Sequence, residues 1–240
     1  MTKEENKGDI RWPPLFSGTL VKRYKRFLAD ILLDNGDAVT AHCPNSGSMK
    51  SCSLPGQKVY ASFHDNPKRK LKYTWELIEM PTSLVGVNTN IPNRLVKTAI
   101  ENSKIKQLKG YDTITPEVKV NTHSRLDLYL QKKNGSSCYV EVKNCTLIED
   151  GRASFPDAVT TRGFKHLVEL QMLVKAGHRS VMFFLIQRMD AREFSPADHI
   201  DPDYGRELRK AHKKGVEICV YDVDINLKRI AIQGEVPFSL

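Results

Sequence analysis

The spacing of apolar residues changes period partway along the chain, and that change constrains the fold more than any single motif. Across residues 11–79, apolar positions fall in short alternating runs divided by turn chemistry. Residues 18–21 and 27–33 form two such runs, Asn35-Gly36 is a tight-turn pair, and residues 38–41 resume the extended pattern. Residues 44–48 read as a loop, Pro55-Gly56 as a turn, and residues 59–63 and 71–78 as further strands. About five short strands within about 70 residues predict a small β-barrel. Beyond Pro81 the period lengthens. Leu95, Val96, Ala99, Ile100 and Ile105 make a helical stripe over residues 93–106, and residues 161–175 make a second, strongly amphipathic one. Alternating segments at 124–130 and 138–142, a buried strand at 180–187, a polar helix at 202–214 and a last core strand at 216–221 interleave with them. The expected organisation is a polar tail over residues 1–10, a basic β domain over 11–82 and an α/β domain over 83–240, α+β overall.

What the chain excludes follows from its composition. Hydrophobic residues are 40% and charged residues 27% of 240, which rules out wholesale disorder. The longest apolar run covers only residues 181–186, whereas a membrane span needs about 20. Residues 1–9 carry both charge signs and lack the apolar centre of a signal peptide. Five cysteines are too few, and odd in number, for a disulfide framework. These features set the expectation of a reduced, cytoplasmic protein with no membrane partner. The oligomeric state has no sequence signature, and a homodimer stays open.

Charge points to the partner. The net charge of +9 and pI near 9.3 suit a polyanion. Residues 11–81 hold 11 Lys/Arg against 6 Asp/Glu, so the β domain is the more basic per residue. Its cations gather in two clusters, Lys22, Arg23, Lys25 and Arg26, then Lys68, Arg69, Lys70 and Lys72, interleaved with Tyr24, Phe27, Tyr73 and Trp75. Cations neutralise phosphates and aromatic rings stack on bases, so both clusters are expected on one DNA-binding face.

The α/β domain holds the sharper constellation. Glu141 and Lys143 are two apart on a predicted strand and share a face, while Val140 and Val142 point to the core. Leu126, Leu128 and Leu130 are expected to bury together, with Asp127 on the opposite face. An Asp and a Glu on adjacent strands form a hard-oxygen site for Mg²⁺, or Mn²⁺ in its place. Such a cation clamps a scissile phosphate, and Lys143 balances the developing charge. Turn chemistry bears on the pairing. A three-residue loop of Lys133, Asn134 and Gly135 makes opposed indices sum to 268 and sets Asp127 across from Glu141, with Gly135 in the left-handed region that such a loop requires. A two-residue loop sets Asp127 on the wrong face. On the second helix, Arg162, Lys165 and His166 near its start are candidates for a phosphate, and Lys165 and His166 are spaced to meet Glu169. His42, Cys43 and Cys52 lack the paired spacings of a zinc site. No phosphate-binding glycine motif and no nucleophile elbow is present.

The chain resembles the sugar fermentation stimulation protein A family over nearly its whole length. The resemblance rests on residues 20–30, on His42-Cys43-Pro44-Asn45-Ser46-Gly47-Ser48-Met49, on Asn66-Pro67-Lys68-Arg69-Lys70 and on Ser124-Arg125-Leu126-Asp127. Residues 139–144, residues 155–160, Arg162-Gly163, Lys165-His166-Leu167 and Gln187-Arg188 extend it. It implies an OB-fold barrel followed by a restriction-endonuclease-like α/β domain. It also implies binding of DNA, single- or double-stranded, with little sequence preference, and a regulatory role in sugar (maltose) metabolism. The PD-(D/E)xK pattern of such domains lands on Asp127, Glu141 and Lys143, with a further acid at Glu101 or Glu117. Ser46 stands where the family usually has Thr, and Lys97 where many members have an acid. Two functions are compatible with all of this: a metal-dependent DNA nuclease, and a non-catalytic DNA-binding regulator.

Overall fold

A computed structural model of the chain describes residues 8–121 and 124–240. The chain enters through β1 (Asp9–Arg11) and builds a barrel from β2 (Leu15–Tyr24), β3 (Leu28–Leu33), β4 (Ala38–His42), β5 (Lys58–Phe63) and β6 (Tyr73–Met80). Neighbours run β4-β3-β2-β5-β6, and a parallel pairing of β4 with β6 through Ala41–Tyr73 and His42–Thr74 closes the cylinder. This five-stranded closure is the OB-fold arrangement. Leu20, Ile31, Trp75 and Ile78 fill its interior. β7 (Ser83–Gly86) extends β6, and the Gly86 N–H donates to the Gln187 carbonyl at 2.9 Å, which ties the barrel to the second domain.

The second domain is a mixed sheet between helices. Its elements are α1 (Ile91–Glu101), β8 (Thr113–Asn121), β9 (Ser124–Gln131), β10 (Ser137–Cys145), β11 (Leu147–Glu149), β12 (Arg152–Phe155), α2 (Thr161–Lys175), β13 (Arg179–Ile186), β14 (Glu193–Pro196), α3 (Pro202–Lys213), β15 (Glu217–Ile225) and β16 (Arg229–Glu235). The seven-stranded sheet is ordered β1-β16-β15-β13-β10-β9-β8, with β10, β13 and β15 mutually parallel. β11, β12 and β14 form a small separate sheet. One face of the large sheet packs on α1 and on Tyr60 and Leu77 of the barrel. The other packs beneath α2 and α3. A sheet covered on both faces explains the continuous apolar run of β13, buried from Ser180 through Ile186.

Local chemistry sets the helix ends. Thr160 caps α2, its hydroxyl accepting from the Gly163 N–H at 3.0 Å. A Cβ on Gly163 would stand 2.7 Å from the Thr160 methyl and 3.1 Å from the Tyr204 ring, so only glycine lets α2 lie this close to α3. Asp201 caps α3 through the Tyr204 N–H at 3.0 Å, with Pro202 in the first turn.

The structure corrects several expectations. Asp9–Arg11 is a strand paired with β16, not part of a tail, while residues 1–7 lie outside the described residues. Residues 83–86 belong to the barrel sheet. The helix expected over 93–106 starts at Ile91 and ends at Glu101, where the Asn102 N–H turns back to the Thr98 carbonyl. All five cysteines are free and buried.

Candidate active site and nucleic-acid face

The hairpin of β9 and β10 carries the odd loop. Ser137 pairs with Gln131 and Val140 with Leu128, so the index sum is 268. Lys132 and Ser136 close the loop through Lys132 N–H to the Ser136 carbonyl at 2.9 Å, and Gly135 takes φ of 88°. The paired ladder ends at Val140 and Leu128, one step short of Glu141 and Asp127. There the Asp127 carboxylate takes the place of a ladder bond: one oxygen accepts from the Val142 N–H at 2.8 Å, the other from Asn93 Nδ2 of α1 at 2.7 Å. The strand changes face at this point. Leu128 and Leu130 pack under α1, whereas Leu126 packs under α2 and α3, against the expectation that all three share a face. The change coincides with Glu117 on β8, which lies between the pairs Pro116–Leu128 and Val118–Leu126 and has φ of 56°, in the left-handed region.

Glu141 is 2% exposed. Its Oε1 meets Lys143 Nζ at 2.5 Å and His166 Nδ1, while its Oε2 has no hydrogen-bond partner among the described residues. His166 is buried one turn into α2, and Arg162 Nε approaches its Nε2 at 3.5 Å. Lys143 Nζ also meets Nδ1, at 3.1 Å, so lysine, histidine and glutamate form one cluster. His166 is therefore part of the acid centre and not a phosphate contact, because its ring turns inward against β10. Nor does it pair with Glu169, which accepts from Ser124 Oγ at 2.7 Å. Burial, and then the Glu141 charge, push the Asp127 carboxyl up to about 6. Burial acts the same way on Glu141, but Lys143 and His166 outweigh it and hold that carboxyl below its ordinary value. The two acids thus feel each other while being held by different elements, Asp127 by α1 and Glu141 by α2.

The further acid is not assembled. Glu101 is at the last turn of α1, ion-paired to Lys97 at 2.5 Å. It is eight residues beyond Asn93 and so roughly 12 Å along the helix from the group that holds Asp127. Glu117 is level with Asp127 but exposed. Among the described residues no three His, Cys, Asp or Glu side chains converge as a metal-ligand set.

The barrel gathers its cations at one end. Tyr24 pairs with Leu28, Leu28 with His42, His42 with Thr74 and Thr74 with Ser62, which places the 25–27 turn and the 64–72 loop at one end of the barrel. Lys25, Arg26, Lys68, Lys70 and Lys72 are exposed there. Lys22 pairs with Asp30 at 3.6 Å, and Lys72 with Asp65 at 3.6 Å. Arg23 acts differently, because its guanidinium donates to the carbonyls of Arg26, Asn45, Gly47 and Ser48 and shapes that loop. Arg26, Asn45 and Ser46 line a cavity of about 320 Å³ shared with Asn144 and residues 155–160 of the second domain. Lys165 is exposed beside it on α2. Trp75 is core, whereas Phe27 is exposed. Sequence reading missed Phe16 and Phe63, which stand at 41% and 38% exposure and meet Tyr73 edge-on at 5.7 and 5.2 Å between ring centres. They come from three strands, so no local pattern marks them.

An OB barrel joined to a mixed α/β domain, with an acid, acid and lysine on neighbouring strands of the large sheet, defines a two-domain protein. Residues 21–87 match the family model described as the SfsA N-terminal OB domain, and residues 90–229 that of the sugar fermentation stimulation protein RE domain. The chain belongs to the sugar fermentation stimulation protein family. A homolog from Geotalea daltonii is 53% identical over 228 residues, 95% of this chain and 98% of the relative. One from Pelobacter propionicus is 53% identical, covering 96% of this chain and all of that one. The structure of Pyrococcus furiosus SfsA in complex with Ca²⁺ superposes with a TM-score of 0.88 at 25% identity, covering 96% of this chain and 98% of that one. Among the described residues no helix is long and apolar enough to cross a membrane.

Proposed function

We propose that the chain binds DNA through its barrel and hydrolyses phosphodiester bonds at Asp127 and Glu141 with a divalent cation. The observation that carries this reading is Glu141 Oε2, a buried carboxylate oxygen with no hydrogen-bond partner among the described residues, on an acid whose charge, after burial, helps push the Asp127 carboxyl up to about 6. An ionised oxygen left bare in a dry site costs more than the ~1–3 kcal/mol of an unmade neutral bond, and a cation removes that cost. The donor set fits Mg²⁺ or Mn²⁺, which are held by one or two carboxylates and complete their shell with water and substrate phosphate. The Ca²⁺ bound by the P. furiosus relative is a cation of the same oxygen-seeking kind. Bound there, the ion would acidify a water and neutralise phosphate charge.

The protein's own groups have separable roles in this reading. Asn93 and the Val142 N–H fix the Asp127 carboxylate. His166, oriented by Arg162, and Lys143 fix Glu141. Lys143 is 12% exposed and remains near enough to solvent to meet a phosphate oxygen. Glu117 is a better further acid than Glu101, since the backbone pairs on either side of it flank Asp127 and its side chain is exposed. Lys25, Arg26, Lys68, Lys70, Arg162 and Lys165 follow the backbone, and Phe16, Phe63 and Tyr73 stack on unpaired bases.

The test is incubation of the purified protein with single- and double-stranded DNA and Mg²⁺ or Mn²⁺, with Asp127→Ala as control. Cleavage lost in the variant with affinity retained is the expected result. Wild-type protein that binds DNA and never cuts it overturns the catalytic half and leaves a non-catalytic DNA binder.

A further inference from the structure

A second cavity, of about 430 Å³, lies where β1, the barrel end and the first turn of α1 meet. Its charged lining is one-sided. Arg11, Arg69 and Arg94 border it, together with His42 and His64. The single acid is Glu76, buried and already engaged by Ser62 Oγ and Asn88 Nδ2, both at 2.7 Å. Arg69 spends one nitrogen on Thr74 Oγ1 at 2.9 Å. The side chains of Arg11 and Arg94 make no hydrogen bond or ion pair among the described residues. His64 meets Ser62 Oγ at 3.1 Å, and His42 has no such partner. The opposite wall is apolar, formed by Ile10, Trp12, Pro13 and Ile91, with Trp12 pinned by its Nε1 donating to the Asn226 carbonyl at 2.8 Å.

Three guanidinium groups with unspent donors around one hollow are a site for a small, multiply charged oxyanion. Guanidinium forks match phosphate oxygens two at a time. The volume is that of a small-ligand pocket rather than a lone ion site, and the apolar wall accommodates the sugar or base attached to the anion. We infer that this cavity receives a phosphate monoester of a nucleotide unit, either the phosphorylated end of a nucleic-acid strand or a free mononucleotide. Burial, and then the Arg69 charge, lower the pKa of both His42 and His64, as a positive potential within the hollow requires.

The inference rests on the nuclease reading for its consequence only. Arg94 faces this cavity, and its neighbour Asn93 holds Asp127. A strand end held at Arg94 would pass round the first turn of α1 toward the acid centre, so that cutting is measured from a phosphorylated end.

Binding without cleavage tests it. Anisotropy of labelled oligonucleotides carrying a 5′-phosphate, a 3′-phosphate or neither is followed with metal-free protein, then repeated with inorganic phosphate or dAMP as competitor. One phosphorylated end is expected to bind at least about tenfold more tightly than the unphosphorylated strand. Arg11→Gln and Arg94→Gln change exposed side chains and should abolish that preference while leaving affinity for the unphosphorylated strand intact. Equal affinity for all ends, or a preference that survives in both variants, overturns the cavity and leaves the DNA reading standing. Saturable binding of dAMP, lost in the variants, by a protein that binds no oligonucleotide sustains the cavity as a mononucleotide site and overturns the DNA reading.

Discussion

Glu141 and His166 meet across two elements that are separate in sequence, β10 and α2, and the contact uses only one carboxylate oxygen. Lys143 shares that same oxygen. The other oxygen is buried and has no hydrogen-bond partner among the described residues. A strand position, a helix turn and an i,i+2 lysine therefore fix the carboxylate through one of its two oxygens.

Cation binding should depend on that arrangement. Glu141→Gln is expected to abolish calorimetric binding of Mn²⁺ or Ca²⁺, and His166→Ala to weaken it by about 10–100-fold, the usual effect of removing a group that orients a ligand. His166 acts as a positioning residue, so His166→Asn, which restores a donor, should recover part of the loss. Metal affinity untouched by both Glu141→Gln and His166→Ala would remove Glu141 from the site.

The basic clusters should divide by role. Arg23 donates to four carbonyls around the 26–48 segment, and Arg23→Ala is expected to cost about 3 kcal/mol in urea unfolding. Lys68 is exposed and forms no ion pair among the described residues. Lys68→Ala should change stability by under about 0.5 kcal/mol and lower the slope of log affinity against log salt by about 1. Lys68→Ala protein with an unchanged salt slope would place DNA elsewhere on the molecule.

Legibility followed sequence distance. The limits of α2 and the odd β9–β10 loop depend on residues within a few positions of one another, Thr160 and Gly163 in one case and Lys132 to Ser136 in the other. Both could be reasoned from the chain. His166 could not. Its place near a helix start suggested a phosphate, and only the packing of α2 on β10 turns the ring inward. The pairing of β1 with β16 joins opposite ends of the chain and leaves no local trace beyond a weak alternation. Arg23 looked like its neighbours in a basic run, and its difference lies in a loop more than twenty residues away.

Phe16, Phe63 and Tyr73 should favour single strands. A ring that stacks on a base contributes roughly 1–3 kcal/mol, and duplex DNA offers no free base face. Replacing Phe16 and Phe63 together by Ala is expected to weaken single-strand binding at least about tenfold and to leave duplex affinity within about twofold. Equal loss on both substrates would reassign these rings to barrel packing.

Asp190 provides the pH test. Burial raises its pKa, but the paired bonds from Arg188, at 2.6 and 2.7 Å, and the bond from Thr82 outweigh that and lower it. Thr82 lies at the end of the barrel and Arg188 also donates to the Thr146 carbonyl at 2.9 Å, so the carboxylate joins the two domains. A folded-state pKa below the unfolded value of about 3.9 means the ionised form is preferred in the fold. The stability it contributes is present above pH ~4 and fades as the pH falls through the lowered pKa. Asp190→Asn leaves the 2%-exposed Arg188 without its counter-ion and should cost about 2 kcal/mol at pH 7, discounted for the partial exposure of the acid. In urea unfolding the gap between wild type and Asp190→Asn should narrow steadily from pH 5 toward pH ~2.5. A gap of constant size across that range would show that the aspartate contributes through shape and hydrogen bonding, and not through its charge.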